Sequence, residues 1–398
     1  MTLDFKLPHG TNMPKTKSAL ICGYYGNHNL GDEALLAGII CLLRKQFKDF
    51  SIAALSNDPS YTIKLHSVKG VKHTRPFQRR VGYILDTFKH PYFIFGGGDL
   101  LRDGVDCHVA QVWLRHLERA IQLRRKTLVL GISVGEIWRS ETKAIIPKVL
   151  NKVDLIAVRD EDSRLKLQQL GVTRTIHIIN DLALFALPII DKVEFANHPS
   201  PKIGISVRTL NGRGMSVDTT QYPKFKKNMA AIADLLVEKY NAEIHLIPFH
   251  TYENSFHHDA DDYVSLLETL QYAKYSEKMI LHRSVDSLEK LNSIISQLDL
   301  MIGTRLHSLI LASGLGIPII GVEYDPKVTS FVQEVGQEEF CFSLEDFTLE
   351  RVANKIEFIL KSPLENRKRT VHGINQYRSK SQPFLSELSS FLDERIGD

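Results

Sequence analysis

Short apolar runs alternate along the chain with longer stretches of helical periodicity, from about residue 18 to residue 322. Apolar runs bounded by glycine or polar residues predict buried strands, and the stretches between them predict crossover helices. This alternation is typical of an α/β fold with parallel sheets. The predicted strands are 18–22, 51–55, 92–95, 127–132, 154–158, 203–207, 243–248, 278–282, 298–303 and 317–322.

The pattern stops between Leu187 and Pro201, where Pro188, Pro199 and Pro201 interrupt both periodicities. A chain of 398 residues favours two domains, each long enough to bury a core. We therefore predict an N-terminal domain at 1–187, a linker at 188–201 and a C-terminal domain at 202–398. The tail predicts helices at 349–360 and 383–394 joined by a basic connector, with the last helix folding back over the first domain.

The charge balance of 50 basic and 46 acidic residues is too even to indicate a nucleic-acid-binding protein. Basic clusters at 124–126 and 367–369 are compatible with contact to an anionic membrane surface, although short charge runs are usually solvated faces. The residues before Ser18 lack the apolar core of a signal peptide, and no apolar run approaches a membrane span. These features predict a cytoplasmic protein that meets any membrane-bound substrate from the soluble side.

Metal and disulfide chemistry has little support in the sequence. The four cysteines are widely spaced and form no CxxC pair, which fits a reducing compartment; they are Cys22, Cys41, Cys107 and Cys341. His257 and His258 lack the HxxxH spacing of a metal-binding helix, so we expect solvated loop histidines and no metal.

A glycine-rich segment at 23–33 follows the first predicted strand and precedes a helix. It matches neither the dinucleotide fingerprint nor the Walker loop. Backbone at Gly26 and Gly31 is expected to approach a ligand, and the polar side chains offer mixed donors and acceptors for sugar hydroxyls; these are Asn29, Asp32 and Glu33. Asp32 as a simple N-cap is an equally open interpretation.

Two further strand ends of the first half carry candidate ligand-binding residues. Gly97, Gly98 and Asp99 are predicted to leave the strand at 92–95, with Asp99 as a hydroxyl binder, a base or a helix cap. Arg159 follows the strand at 154–158, where a guanidinium can clamp a carboxylate or phosphate. The alternative for Arg159 is a salt bridge to Asp160 or Asp162.

The second half is organised around residues 299–327, in which two predicted strand ends deliver Arg305, His307 and Lys327 to one rim. A titratable imidazole between fixed cations suits an anionic substrate that needs proton transfer. A capping histidine beside two solvated cations is the alternative. The same rim carries further candidate binding residues, namely Thr304, Ser308, Tyr324 and, from another strand end, Arg208.

The order and placement of these motifs resemble the polysaccharide pyruvyl transferase family over roughly residues 18–335. The motifs are Gly-Tyr-Tyr-Gly at 23–26, Asn-Leu-Gly-Asp-Glu-Ala at 29–34, Gly-Gly-Gly-Asp at 96–99, Val-Arg-Asp at 158–160 with Ser163, Arg-Leu-His-Ser at 305–308 and Tyr-Asp-Pro-Lys at 324–327. The resemblance implies a GT-B-like fold of two Rossmann-like, doubly wound domains that face each other across a cleft.

It also implies the reaction: phosphoenolpyruvate, as co-substrate, places a pyruvate ketal on two hydroxyls of a sugar and releases phosphate. The acceptor is a cell-surface polysaccharide or its lipid-linked precursor, and no metal or further cofactor is implied. On this interpretation His307 is the general acid or base, and Arg305, Arg159 and Lys327 hold the donor's carboxylate and phosphate. Arg208 is a further candidate. The acceptor lies against the first domain near Asn29, Asp32, Gly97, Gly98 and Asp99, while the source of its base is left open.

Two other functions fit the same residues. A nucleotide-sugar glycosyltransferase of the same architecture also requires cations, for a pyrophosphate. A non-catalytic carbohydrate- or phosphate-binding protein would bind ligand without releasing phosphate. The sequence predicts neither the oligomeric state nor the identity of the sugar.

Overall fold

The computed structural model describes residues 17–73, 80–104, 109–193, 199–209, 221–251, 261–283 and 285–393. Two parallel sheets carry the architecture. The first contains β1 (Ser18–Cys22), β2 (Ser51–Ser56), β3 (Lys69–Lys72), β4 (Tyr92–Leu101), β5 (Lys126–Val134), β6 (Leu155–Val158) and β7 (Ile176–Ile178). The second contains β8 (Lys202–Ser206), β9 (Glu243–Leu246), β10 (Met279–Leu281), β11 (Leu300–Gly303), β12 (Ile319–Glu323) and β13 (Cys341–Ser343).

Helices connect successive strands and then continue to the C-terminal end of the described chain. Those of the first half are α1 (Leu30–Gln46), α2 (Pro59–His66), α3 (Arg80–Lys89), α4 (Val109–Gln122), α5 (Ser140–Leu150) and α6 (Glu161–Gln169). Those of the second half are α7 (Tyr222–Tyr240), α8 (Asp262–Leu270), α9 (Leu288–Ser296), α10 (Leu306–Gly314), α11 (Pro326–Glu334), α12 (Leu349–Lys361), α13 (Pro363–Ser379) and α14 (Gln382–Asp393).

The strand orders place a ligand-binding crevice in each domain. The first sheet is ordered β3-β2-β1-β4-β5-β6-β7 and the second β10-β9-β8-β11-β12-β13, with parallel pairing in both. In each sheet the chain changes direction beside its first strand, between β1 and β4 and between β8 and β11. Ligands of open α/β sheets bind at this switch point, beyond the carboxyl ends of the strands.

Both faces of each sheet are buried, which explains the unbroken apolar strands. Along β1, Ala19 and Ile21 join one apolar cluster while Leu20 and Cys22 join another on the opposite face. The first of these clusters continues from α1 through the 3₁₀ turn Leu182–Ala186 into α10 of the second domain. The two domains are therefore joined by continuous apolar packing.

The last helix returns to the first domain, as the sequence predicted. The Nζ of Lys17 and the hydroxyl of Tyr92 each donate a hydrogen bond to the carbonyl of Leu392, at 2.8 and 3.1 Å. The ring of Phe391 packs edge-on against Tyr92 with centroids 5.9 Å apart. This helix thus ties the end of the described chain to the first sheet.

Several local predictions were wrong. The basic connector expected between the tail helices is itself helix α13, which packs through residues such as Ile374 and Tyr377. The segment 96–99 is part of β4 rather than a loop, with an irregular register against β5 between Gly98 and Leu101. The short strands β3, β7 and β13 were not predicted. Gly31, Asp32 and Glu33 lie in the first turn of α1, whose N-cap is Asn29 and not Asp32.

The basic clusters are partly structural. Arg125 is buried and donates to the carbonyls of Leu123 and Phe88, at 2.9 and 3.1 Å. Arg367 is buried as well and hydrogen-bonds the carbonyl of Leu298. One cation of each cluster, Arg125 in the first and Arg367 in the second, is thus unavailable to a membrane surface. Among the described helices, none has the length and apolar character needed to cross a bilayer.

Candidate functional site

The carboxyl ends of the two sheets face each other, and the chain bridges them directly. Asn29, just before α1, forms an antiparallel β-bridge with His250, which follows β9 of the second domain. The amide of Leu30 donates to the carbonyl of Phe249 at 2.8 Å. The N-terminus of α1 is thereby fixed against the second domain, and Asp32 lies in the first turn of this helix.

One buried carboxylate lies close to charged or titratable side chains of both domains. Asp181, which follows β7, has its Oδ2 3.7 Å from Nη1 of Arg159 and 3.7 Å from Nε2 of His307. Neither the Asp181 Oδ2 nor the His307 Nε2 has a hydrogen-bond partner, although both are buried. Buried polar atoms are nearly always paired, so unpaired atoms that converge on one point are suited to accepting a ligand. Arg159 also lies 3.3 Å from Asp160.

A second set of charges lies at the neighbouring strand ends. The Nζ of Lys327, in the first turn of α11, is 3.0 Å from Asp325 and 3.9 Å from Asp99 of the first domain. Asp99 is also 3.8 Å from Arg102. Its Oδ1 is buried without a hydrogen bond. Lys327 and Asp99 therefore face each other across the cleft without tight pairing.

The titration behaviour differs from the sequence-based expectation. Burial, assisted by the nearby cations Arg159, Lys327 and Arg305 and opposed by Asp181, lowers the pKa of His307 to about 4. The imidazole is therefore neutral near pH 7 and does not titrate there, contrary to the reasoning that selected it. Its position between anion-binding candidates is nevertheless as expected.

Asp32, by contrast, has a pKa near neutrality. Burial and the adjacent Glu33 raise the pKa of Asp32 to about 7, against the opposing influence of Arg305 and Lys327. A carboxyl group with such a pKa is ionised in about half of the molecules at pH 7, which suits proton transfer. The sequence indicated Asp32 as a sugar ligand and did not anticipate this shift.

Two glycines allow the close approach that brings these groups together. A Cβ on Gly31 would lie 2.4 Å from Nδ1 of His307, so only glycine lets the start of α1 contact the imidazole. Gly98 has φ +85°, and a Cβ there would lie 3.1 Å from Oδ1 of Asp32. Backbone of the first domain thus closely borders both proton-transfer candidates.

Some predicted binding residues also make contacts that maintain the fold. Glu33 is fully buried and accepts hydrogen bonds from the amide of Gly26 and from Nε2 of His66, both at 2.8 Å. Gly26 itself packs against the backbone of the β2–α2 connection, and Gly97 faces Leu35. The side-chain oxygen of Asn29 accepts the amide of Gly31 at 3.1 Å. These contacts fix the conformation of the loop.

Predicted binding residues on the other rim also have hydrogen-bond partners within the second domain. Arg305 donates from Nε to both oxygens of Asp262, at 2.8 and 3.0 Å, and from Nη2 to Oδ1, so its fork is largely occupied within the second domain. The hydroxyl of Thr304 accepts the amide of Arg208 at 2.7 Å, and that of Ser308 donates to the carbonyl of Arg305 at 2.6 Å. Thr304 and Ser308 are both fully buried.

Arg208 and Tyr324 form a unit at the second switch point. Nη1 of Arg208 donates to the Tyr324 hydroxyl at 2.6 Å, and the guanidinium lies 4.7 Å from the ring centroid. Burial opposes ionisation of this phenol, but Arg208 and Lys327 together hold its pKa below its ordinary value. Arg208 therefore positions Tyr324 at the edge of the cleft.

Sequence reasoning missed Asp181 and Asp262. Asp181 could have been identified from the sequence. Asn180 and Asp181 follow the short apolar stretch Ile176–Ile178, just as polar residues follow the predicted strands. Asp262 could not have been, since its partner Arg305 lies 43 positions further along the chain. Within the described ranges, no group of three or more potential ligands could hold a metal ion. His257 and His258 lie outside the described residues.

Comparison with known proteins identifies sequences related to this chain. A sequence model of the polysaccharide pyruvyl transferase family matches residues 29–326, which include each of the cleft residues discussed above except Lys327. The amylovoran biosynthesis protein AmsJ of Erwinia amylovora is 21% identical over 270 residues. That match covers 65% of this chain and 64% of AmsJ, so the chain spans less than two thirds of this relative's length.

Solved structures with the same architecture confirm the predicted GT-B-like fold. A putative UDP-N-acetylglucosamine 2-epimerase from Listeria monocytogenes superposes with a TM-score of 0.58 at 11% identity, covering 96% of this chain and 98% of that one. A glycosyltransferase from Rickettsia africae gives the same TM-score and identity, covering 96% and 100%. At such low identity, the likeness concerns the fold alone.

Proposed function

The chain belongs to the polysaccharide pyruvyl transferase family, and on that premise we propose that it transfers the pyruvyl group of phosphoenolpyruvate to two hydroxyls of a sugar. The product is a ketal on a cell-surface polysaccharide or its lipid-linked precursor, and phosphate is released. The observation that carries the proposal is the cleft itself, where Arg159 and Lys327 flank the His307 imidazole, whose Nε2 has no hydrogen bond, and the loosely paired carboxylates of Asp181 and Asp99 of the first domain.

Donor binding is assigned to Arg159 and Lys327. Arg159 lies 3.7 Å from Asp181 within the first domain, and Lys327 lies 3.9 Å from Asp99 across the cleft, both beyond the roughly 2.7–2.9 Å of a strong charge-assisted hydrogen bond. The phosphate and carboxylate of phosphoenolpyruvate offer these cations shorter contacts. Because the guanidinium of Arg305 is hydrogen-bonded to Asp262, Arg305 contributes positive potential to the site rather than free N–H donors.

The reaction begins with a proton at the methylene carbon of the donor. Burial, assisted by the nearby cations, lowers the pKa of His307 in the free protein; the anionic donor offsets these cations when it binds, and we propose that the imidazole takes up a proton in the complex. It then gives this proton to the methylene carbon, and the carbon that carries the phosphate becomes an oxocarbenium centre. His307 thus remains the proposed proton donor, although it is neutral in the free protein.

Asp32 is proposed as the base for the acceptor, the source of which the sequence leaves open. A sugar hydroxyl attacks the oxocarbenium carbon and passes its proton to the carboxylate. The bond to the phosphate oxygen then breaks, and phosphate leaves with the bonding electrons. The second hydroxyl adds to the renewed oxocarbenium centre, and its proton leaves with the phosphate, which completes the ketal.

The experiment is incubation of the protein with phosphoenolpyruvate and a panel of lipid-linked, oligosaccharide and polymeric sugars. We expect release of inorganic phosphate together with a product heavier than the acceptor by pyruvic acid minus water. A parallel set with UDP- and GDP-sugars as donors tests the glycosyltransferase alternative. Transfer of a sugar from these donors, without use of phosphoenolpyruvate, would overturn the proposal.

A further inference from the structure

The hydrogen bond between Arg208 and Tyr324 crosses the strand end from which the proposed proton donor follows. In the second sheet, β11 lies between β8 and β12. Arg208 follows β8 and Tyr324 follows β12, so the contact between them spans the carboxyl end of β11. His307 lies in the first turn of the helix after β11. Because the strand ends of a parallel sheet share an edge, the phenol lies at the same edge as the imidazole.

The ring of Tyr324 borders the cleft between the domains. Its centroid lies 5.8 Å from Nζ of Lys327, and this ammonium is 3.9 Å from Asp99 of the first domain. Tyr324 is only partly buried, unlike Thr304 and Ser308 of the same rim. The phenol is therefore placed beside one of the two cations assigned to the donor.

The phenolic proton of Tyr324 is available for transfer. The phenol oxygen accepts a hydrogen bond from Nη1 of Arg208 at 2.6 Å, and among the described residues none accepts a hydrogen bond from the phenol in return. A hydroxyl group that one donor orients, and whose own proton is unengaged, can give this proton to a substrate oxygen.

The charges around the phenol stabilise its ionised form. Three cations act on it: Arg208 from the end of β8, Arg305 from the end of β11 and Lys327 from α11. The opposing carboxylate is Asp325, which itself lies 3.0 Å from Lys327. Burial raises the pKa of Tyr324 and Asp325 does the same, but the cations outweigh both and hold this pKa below its ordinary value. A phenol that ionises more readily is a better acid toward a leaving group.

We propose that Tyr324 is a second catalytic acid beside His307, and that it protonates the phosphate as the phosphate leaves. This role rests on the proposed function. After the first sugar hydroxyl has added, the bond between the former enol carbon and the bridging phosphate oxygen breaks, the electron pair stays on this oxygen, and Tyr324 supplies its proton. The tyrosinate, stabilised by Arg208 and Lys327, then takes the proton of the second hydroxyl while the oxygen of that hydroxyl bonds to the carbon. The proton of the second hydroxyl thus reaches the phosphate through Tyr324, and the phenol is restored.

The test compares the wild type with Tyr324→Phe, which removes the hydroxyl and keeps the ring beside both cations. With phosphoenolpyruvate and an acceptor on which the wild type forms the ketal, kcat should fall about 100-fold or more, while the affinity for phosphoenolpyruvate in calorimetry should stay within about twofold. Rapid-quench mass spectrometry of the variant should detect an adduct heavier than the acceptor by one whole phosphoenolpyruvic acid. This adduct accumulates because the first addition proceeds and the departure of phosphate is slowed.

Tyr275→Phe is the matched control. The ring of Tyr275 also has two cations near it, Lys274 and Lys278, whose Nζ atoms lie 4.7 and 5.3 Å from its centroid. Tyr275 precedes β10, however, and therefore lies at the edge of the sheet opposite to the cleft. This variant should keep the kcat of the wild type and should accumulate no adduct.

An acid role for Tyr324 also predicts a pH dependence that a packing role would not. In the wild type, kcat should fall as the pH rises through the pKa of Tyr324, because the ionised phenol has no proton to give. Arg208→Met removes one of the cations and should move this alkaline limb upward by about one pH unit. The tyrosinate absorbance, measured as the difference between each protein and its Tyr324→Phe counterpart, should shift by the same amount.

A wild-type kcat in Tyr324→Phe would overturn the proposal, as would an alkaline limb that persists in this variant. A lowered kcat without the adduct would overturn the assignment of Tyr324 to the departure of phosphate. Failure of the proposed function is a separate result, since it would appear as the absence of ketal formation in the wild type. Failure of the role of Tyr324 would appear instead as a wild type that forms the ketal and a variant that forms it equally fast.

Discussion

Two sets of ion pairs border the cleft, and they are built differently. Inside the second domain, Arg305 and the fully buried Asp262 form a bidentate pair with contacts as short as 2.8 Å from Nε. Between the domains, His307 and Lys327 contact Asp181 and Asp99 only at 3.7 and 3.9 Å. The first set has satisfied hydrogen bonds, and the second retains unpaired oxygens. We infer that the first holds the fold and the second receives the substrate.

The largest effect expected from this comparison is on stability. Asp262→Ala leaves the Arg305 guanidinium buried without its partner, so the free energy of unfolding should fall by about 3–5 kcal/mol. Lys327→Ala, which removes the loose contact to Asp99 and a partly exposed ion pair with Asp325, should lower it by less than about 1 kcal/mol. Urea unfolding followed by circular dichroism measures both. Equal losses would remove the distinction between the two sets.

Asp32→Asn should lower kcat about 100-fold, because an amide cannot accept the acceptor's proton. The affinity for phosphoenolpyruvate should change little. In the wild type, kcat should fall as the pH drops below about 7, where Asp32 becomes protonated. A pH–rate profile that keeps this limb in the variant would exclude Asp32 as the base.

Asp32→Asn should lower activity but increase stability, because the pKa of Asp32 is raised in the folded protein. Ionised Asp32 destabilises the folded state, an effect absent below about pH 4 and complete above about pH 7. Asp32→Asn should therefore raise the free energy of unfolding at pH 8, by about 1–3 kcal/mol, and leave it unchanged at pH 4. A gain of equal size at both pH values would point to a different cause.

Lys327→Met should raise the KM for phosphoenolpyruvate about tenfold, because one charge-assisted contact to the donor is lost. Lys64→Met is the matched control. Lys64 also pairs across the domains, with Asp286 at 3.9 Å, but on the exposed surface. Steady-state kinetics should show an unchanged KM in this control, and a similar rise in both variants would mean that the effect is a general one of charge.

The smallest effect is expected at a satisfied hydroxyl of the rim. Ser308→Ala removes the hydrogen bond to the Arg305 carbonyl and should lower the free energy of unfolding by about 1 kcal/mol. The KM for phosphoenolpyruvate should remain unchanged. A raised KM with unaltered stability would return Ser308 to the binding surface that the sequence predicted.

Sequence reasoning succeeded where a feature depends on local pattern. The apolar strands, including Ser18–Cys22 and Leu300–Gly303, and the helices between them follow from burial on both faces of a parallel sheet. The gathering of Arg159, His307 and Lys327 in one cleft follows from the rule that strand ends share an edge. The short strands at residues 69–72, 176–178 and 341–343 were missed because three or four residues carry too little periodicity.

What the sequence by itself determined was the α/β class, the family resemblance and which strand ends border the cleft, since each depends on residue type and spacing. Only the tertiary structure decided what each polar residue does there. Arg305 and Lys327 are equivalent cations in the sequence, and they differ because a carboxylate from a distant segment, Asp262, occupies one and not the other. Likewise, the pKa values of Asp32 and His307 depend on burial and on charges from the opposite domain, which no local pattern encodes.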